Sequence, residues 1–231
     1  MLIVTMLCGA PPRVRDQRFS VLVRTCFRAQ KLLELADEVI CLANFGDERT
    51  RDWLKAQPWK PRVLFTRNRA GNPQATELVL TAAVQSAAGR TAEDSHALHL
   101  EDDWWLVDED PLSGWLAKSR GILMGHPTVG QVRLRMIDDH TPLGFNWVTG
   151  AAIDREQYPG YAVSNQHLTY NPALWRMRAI ETSFPADPGA WRDEQASMLC
   201  YDRAGWKSAQ LVPGVFIHRD NGASVESVVG R

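Results

Sequence analysis

Three acidic residues stand in a row at Glu101-Asp102-Asp103, directly after the apolar-rich segment 96–100. Adjacent carboxylates repel one another unless a cation or hydrogen-bond donors neutralise them. If the chain leaves the preceding strand extended, residues 101 and 103 point the same way, and Glu101 and Asp103 can share one metal-diphosphate unit. A donor set of oxygens favours Mg2+ or Mn2+, which keep water and substrate phosphates in their shells. The alternative is a solvated acidic turn, and the position after a buried strand weighs against it. Nine tryptophans are many for 231 residues. Trp104, Trp105, Trp147 and Trp191 lie beside charged or turn residues, where a flat ring can face a sugar or base as readily as fill a core. Cys8, Cys26, Cys41 and Cys200 form no C-x-x-C pair. They read as buried thiols of a reducing compartment.

The elements that must position these groups follow from hydrophobic spacing. Residues 2–7 and 39–43 read as buried strands, 63–66 as a third and 96–100 as a fourth. Between the first two, Phe19, Leu22, Val23, Cys26, Phe27, Leu33 and Ala36 recur at helical spacing, with Arg18, Arg24 and Arg28 assigned to the polar face. A short helix is expected over 47–56. A longer one is expected from Asn72-Pro73, a cap followed by a first-turn proline, to a stop at Gly89. This alternation predicts a mainly parallel sheet covered by helices, in which ligands bind beyond the carboxyl ends of the strands. In the second half, helices are expected over 111–124, 173–180 and 190–203. The segment 173–180 follows a second Asn-Pro at Asn171-Pro172, and Gly205 stops the last helix. Residues 131–136 read as a half-exposed strand, 147–153 as another, and 215–217 as a strand leading into His218.

On these motifs the chain resembles the GT-A glycosyltransferases, particularly the family-2-like inverting enzymes. Their nucleotide-binding sheet ends in a D-x-D motif that holds a divalent metal against the donor diphosphate. Glu101-Asp102-Asp103 looks like an E-x-D version, which implies Asp103 as metal ligand with Glu101 at the metal or the ribose. The family carries an acidic pair at a late helix start, its last carboxylate the catalytic base of inverting members. Arg192-Asp193-Glu194-Gln195 is similar, with Glu194 the first choice and Asp193 the second; acidic charge in a first helical turn is the plain alternative. A C-terminal histidine often completes the metal shell, and His218 stands at the matching place; imidazole suits Mn2+ better than Mg2+. Residues 168–176 and the glycine-containing loop 144–150 resemble further family segments. Arg67 and Asn68 fall where the family contacts base and diphosphate, so the resemblance places Glu101, Asp102, Arg67 and Asn68 on the donor side. It implies one GT-A (Rossmann-like) α/β domain over 1–231. Residues 1–105 would bind nucleotide and 106–231 would supply the acceptor and catalytic half. The cofactor set is Mn2+ or Mg2+ with a UDP-sugar, UDP-glucose by family default.

Composition is that of an ordinary globular chain, 45% hydrophobic and 23% charged, with 26 basic and 27 acidic residues. That excludes a polybasic nucleic-acid coat and an acidic disordered tail. The balance is uneven, with 13 Lys or Arg against 7 acidic residues over 13–69, and 8 acidic residues with no Lys or Arg over 91–115. The basic segment suits phosphates of the donor and of a nucleic-acid acceptor. The resemblance extends to phage enzymes that glycosylate 5-hydroxymethylated pyrimidines in DNA, and the uneven basic distribution and Trp-rich second half are compatible with such an acceptor, so it is the favoured one, with a surface polysaccharide or lipopolysaccharide the alternative. Two other classes compete: a metallohydrolase using Glu101, Asp102, Asp103 and His218, and a non-catalytic nucleic-acid-binding module. No stretch reaches the length of a membrane span or the pattern of a signal peptide, so a cytoplasmic protein is expected.

Overall fold

The apolar run near the start of the chain forms β1 (Leu2–Cys8), which lies between two parallel neighbours, β2 (Glu38–Ala43) and β4 (His96–Glu101). The computed structural model describes residues 1–9, 12–67, 72–89, 95–107, 114–136, 160–164, 168–184, 194–212 and 214–218. The other strands are β3 (Arg62–Phe65), β5 (Trp104–Leu106), β6 (Val129–Arg133), β7 (Tyr161–Ser164), β8 (Ala173–Arg176), β9 (Lys207–Leu211) and β10 (Phe216–His218). The helices are α1 (Arg15–Arg28), α2 (Gln30–Leu35), α3 (Glu48–Lys55), α4 (Asn72–Ala87), α5 (Trp115–Gly125), α6 (Met177–Ser183) and α7 (Glu194–Arg203). Eight strands form one sheet in the order β3-β2-β1-β4-β8-β6-β9-β7, and β5 pairs with β10 in a separate ribbon. Within the large sheet β8 and β7 run antiparallel to their neighbours, and the other six strands share one direction.

Side chains alternate between the two faces of each strand, and both faces are covered. Leu2, Val4, Met6 and Cys8 of β1, with Leu98 and Leu100 of β4, pack with Leu22 and Cys26 of α1, Leu32 and Leu33 of α2, Leu54 of α3 and Ile122 of α5. Ile3 and Ala97 face the other way, towards Leu80 and Ala83 of α4, Ile180 of α6 and Tyr201 of α7. The result is a sheet between two helical layers, the mainly parallel α/β arrangement expected from the alternating pattern.

Three expectations are corrected. The helix expected through 36 breaks at Ala29 into α1 and α2. The strand expected at 131–136 lies two residues earlier and is buried on both faces; at Gly130 a β-carbon would come within 2.8 Å of Ala179 and of Tyr201, so the glycine admits both helices against the sheet. The helix expected from Ala173 is instead β8, in mid-sheet between β4 and β6, with helix starting only at Met177. Ala173, Leu174 and Trp175 are fully buried, and strands on both sides satisfy their backbone groups. Pro172 precedes the first paired residue, a position a strand tolerates. Asn171 is thus not a helix cap. Arg176, at the junction, donates to the carbonyls of Leu123, His126 and Val129, tying down the end of α5. The strand expected at 147–153 lies outside the described residues.

One buried polar group makes stability depend on pH. His99 of β4 is wholly buried, with Nδ1 3.0 Å from Thr5 Oγ1, and burial pushes its pKa from 6.5 down to about 3. The unfolded chain therefore takes up a proton that the folded chain excludes, and stability falls as pH drops from 6.5 towards 3, by up to about 1.4 kcal/mol per pH unit. The urea midpoint should decline over that window in the wild type, and His99→Gln should flatten the decline. An equal slope in the variant would assign it to another group.

Candidate functional site

Parallel strands deliver their carboxyl ends to one edge of the sheet, and at that edge β1, β2 and β4 are stitched together. Asn44, just past β2, donates its N–H to Cys8 O at 2.9 Å, and Asp102, just past β4, donates to Leu7 O at 3.1 Å. Gly9 makes this closeness possible: its φ is +99° and a β-carbon would sit 2.7 Å from Asn44 O. Asn44 Oδ1 accepts from Thr66 Oγ1 at 2.7 Å, which joins the end of β3 to the same edge.

The chain does not leave β4 extended. Asp102 and Asp103 form a turn into β5, so the alternation that would aim Glu101 and Asp103 together does not hold. Glu101 instead accepts from Trp104 Nε1 at 3.2 Å. Asp102 and Asp103 both face Arg18 of α1, which places one guanidinium nitrogen on Asp102 Oδ1 and the other 2.7 Å from Asp103 Oδ2. Arg18 is therefore not on the polar face assigned to it. It lies four residues before Leu22 and seven before Thr25, in line with the buried stripe of α1, and Thr25 Oγ1 donates to Asp102 O at 2.7 Å. The i, i+4, i+7 spacing carried that signal, although its charge argued the other way.

His218 arrives from 115 residues further along the chain. β10 pairs antiparallel with β5 so that His218 lies opposite Trp104. Its Nε2 is 3.3 Å from Asp103 Oδ2, and its ring lies 5.0 Å from the Trp104 ring. Asp103 Oδ1, like Asp102 Oδ2, is buried and has no hydrogen-bond partner among the described residues. Burial would raise the Asp103 carboxyl, but His218 and Arg18 together hold it below the ordinary carboxylate range. Burial pushes Asp102 up to about 8, with Arg18 pulling against the rise and Asp103 and Glu101 adding to it. Burial opposes the Arg18 charge, yet Asp102 and Asp103 outweigh it and hold the guanidinium firmly protonated.

Of the other sequence-derived residues, Arg67 lies just beyond β3 at the same edge, exposed, with its backbone near Gly46. Asn68, Asp193 and the loop 144–150 lie outside the described residues, and Glu194 is described as the first residue of α7 only in its backbone. The edge that α7 starts from can still be read. Its last turn meets the beginning of β9 through Tyr201 and Lys207 O, whereas Ser197, one turn in, binds Tyr170 just ahead of the antiparallel β8. Since Ala173 pairs with His99, residue 170 stands at the carboxyl edge of β4, and so does the first turn of α7.

The tryptophans and the basic segment also differ from expectation. Trp104 is buried against His218, and Arg28 covers the Trp105 ring at 5.1 Å; Trp147 and Trp191 lie outside the described residues. Among the described residues of the basic segment, Arg15 pairs with Asp47, Arg18 with Asp102 and Asp103, Arg49 with Asp16, and Arg51 with Asp52. The cysteines are free, with Cys8, Cys26 and Cys41 buried. No helix among the described residues is long and apolar enough to cross a membrane.

A mainly parallel sheet between helical layers, with an acidic turn beyond the carboxyl end of a central strand, is the GT-A fold class, as the sequence resemblance implied. Similar solved structures include a GalNAc-T7 structure with UDP, GalNAc and Mn2+, at 14% identity and TM-score 0.60 over 95% of this chain and 44% of that one. A mannosyltransferase from Pyrobaculum calidifontis, in complex with GDP-Man and Mn2+, aligns at 12% identity and TM-score 0.54 over 98% of this chain and 59% of that one. A nucleotidyl transferase from Methanothermobacter thermautotroptrophicus aligns at 10% identity and TM-score 0.51 over 91% of this chain and 86% of that one. The chain thus spans about half the length of the two glycosyltransferases. No family model matches the sequence, and no curated protein matches it at a significant level.

The buried pairing predicts unequal costs at two aspartates that each bind an arginine. Asp102→Ala removes a buried partner and should lower unfolding free energy by on the order of 3 kcal/mol. Asp16→Ala, in the exposed pair with Arg49, should cost less than about 1 kcal/mol. Urea titration of both variants checks this, and equal small losses would show that the Arg18 pair contributes nothing to folding.

Proposed function

We propose that the chain is a metal-dependent inverting glycosyltransferase that moves a sugar from a nucleotide-sugar donor to an acceptor hydroxyl. The observation that carries this reading is the pairing of Asp103 with His218 at the carboxyl edge of β4. One buried Asp103 oxygen has no hydrogen-bond partner among the described residues, and an imidazole reaches the other from a distant strand. A carboxylate and an imidazole are a donor pair that Mn2+ accepts, with the donor diphosphate and water completing the shell, since the described residues bring no third His, Cys, Asp or Glu side chain to them. Bound there, the cation would neutralise charge developing on the departing nucleotide diphosphate.

The remaining roles fall to the chain. Arg67 and Asn68 would hold the donor's base and diphosphate. Glu194, or Asp193 beside it, would take the proton of the acceptor hydroxyl while the nucleotide leaves from the opposite face of the sugar, so that the new glycosidic bond is inverted. The start of α7 at the same sheet edge as Asp103 supports that division, and it agrees with a donor half over 1–105 and an acceptor half over 106–231. UDP-glucose is the working donor.

For the acceptor, the sequence favours the hydroxymethyl group of a 5-hydroxymethylated pyrimidine in DNA. The ion pairs of Arg15, Arg18, Arg49 and Arg51 withdraw four arginines on which that choice drew. A hydroxyl of a surface glycan is therefore an equal arm of the experiment.

Incubation with Mn2+, UDP-sugars and either hydroxymethylated DNA or glycan acceptors should release UDP and shift the acceptor mass by one sugar. Chelation of the metal should abolish transfer and added Mn2+ restore it. Asp103→Ala and Glu194→Ala should each lose transfer by at least a hundredfold with an unchanged circular dichroism spectrum; full activity in either removes that residue from its role. Release of sugar 1-phosphate instead of UDP, with a uridylyl group added to the acceptor, would replace glycosyl transfer with nucleotidyl transfer.

A further inference from the structure

Arg18 is the group at this site that neither the acidic motif nor the family resemblance singles out. Its guanidinium spans two consecutive carboxylates, with Asp102 on one nitrogen and Asp103 on the other at 2.7 Å. Two turns of one face of α1 hold the acidic turn, since Thr25 donates to the Asp102 carbonyl while Arg18 donates to the carboxylates. The Asp102 side chain is only 2% exposed and faces inward, so it anchors the arginine and does not face a ligand. Both aspartates keep one buried oxygen without a hydrogen-bond partner among the described residues, Oδ2 of Asp102 and Oδ1 of Asp103, but Asp103 is the more exposed and is met on its Oδ2 by both Arg18 and His218. A carboxylate fixed through one oxygen presents the other in a set direction.

We propose that Arg18 is a positioning residue whose forked hold on Asp102 and Asp103 fixes the Asp103 carboxylate and thereby sets how tightly the site takes a divalent cation. The proposal rests on the metal-dependent reading above. It depends on fork geometry as well as charge. A planar guanidinium can bind two carboxylates at once, whereas a lysine ammonium is a point charge on a flexible stem. Groups that orient a ligand from behind commonly change metal affinity by 10- to 100-fold when altered.

The test is Mn2+ binding to the full chain, followed by the electron paramagnetic resonance signal of free Mn2+, with and without saturating UDP. Wild type, Asp103→Asn, Arg18→Lys and Arg18→Met are compared, each with its folded fraction measured by circular dichroism. Wild type should bind one ion and Asp103→Asn should lose it. Arg18→Lys, which keeps the charge and is the variant expected to stay folded, should bind about 10- to 100-fold more weakly per folded molecule. Arg18→Met should be no tighter than the lysine variant. A purely structural arginine would lower the melting temperature and leave the affinity of the folded fraction within twofold, which would overturn the proposal while wild type and Asp103→Asn still uphold the metal site. If wild type binds no Mn2+ in either condition, the metal reading and this proposal both fall.

Discussion

The site depends on how the fold accommodates two carboxylates at the buried end of a strand. Asp102 and Asp103 follow one another where β4 leaves the sheet, and their charges would repel if buried together without a counter-charge. Arg18 supplies that charge from the neighbouring helix. The requirement constrains everything around it. α1 must present Arg18, Leu22 and Thr25 along one line, and the chain must turn sharply after Glu101 instead of continuing as a strand.

The parallel sheet converts this local demand into a site. Its strands end at one edge, where Gly9 lets β1 and β2 approach closely and Asn44 links the end of β2 to the end of β3. The ribbon of β5 and β10 grows directly from the acidic turn, so the turn that places Asp103 also sets the register that brings His218 to it. Tyr170 and Ser197 do the equivalent on the other side, holding the first turns of α7 at the same edge. Groups from seven separate stretches of sequence thus converge beyond the carboxyl ends of the parallel strands, where ligands bind in such sheets.

The uneven charge along the sequence acquires a different meaning in three dimensions. The basic surplus of the early segment suggested a surface for phosphates, but Arg15, Arg18, Arg49 and Arg51 engage acidic groups of the fold, Arg18 the acidic block itself. Trp104 and Trp105 likewise serve the protein more than a ligand, one packed on His218 and the other covered by Arg28.

The alternating pattern of apolar runs and periodic helices settled the first four strands, their parallel order and the helical character of the connections, though not the break at Ala29, because buried parallel strands and amphipathic helices leave signatures in local spacing. The same spacing put the acidic triplet at a strand end and His218 after an apolar strand. It did not settle β8: Asn171-Pro172 is as compatible with a strand entry as with a helix start, and only neighbours on both sides, invisible in local sequence, satisfy the backbone of Ala173–Arg176 as sheet. Nor did it settle the partners of the acidic turn. Arg18 lies 85 residues from Asp103 and His218 lies 115. Spacing within an element can say which face a residue occupies, but which distant charge that face meets is decided by how helices and strands pack.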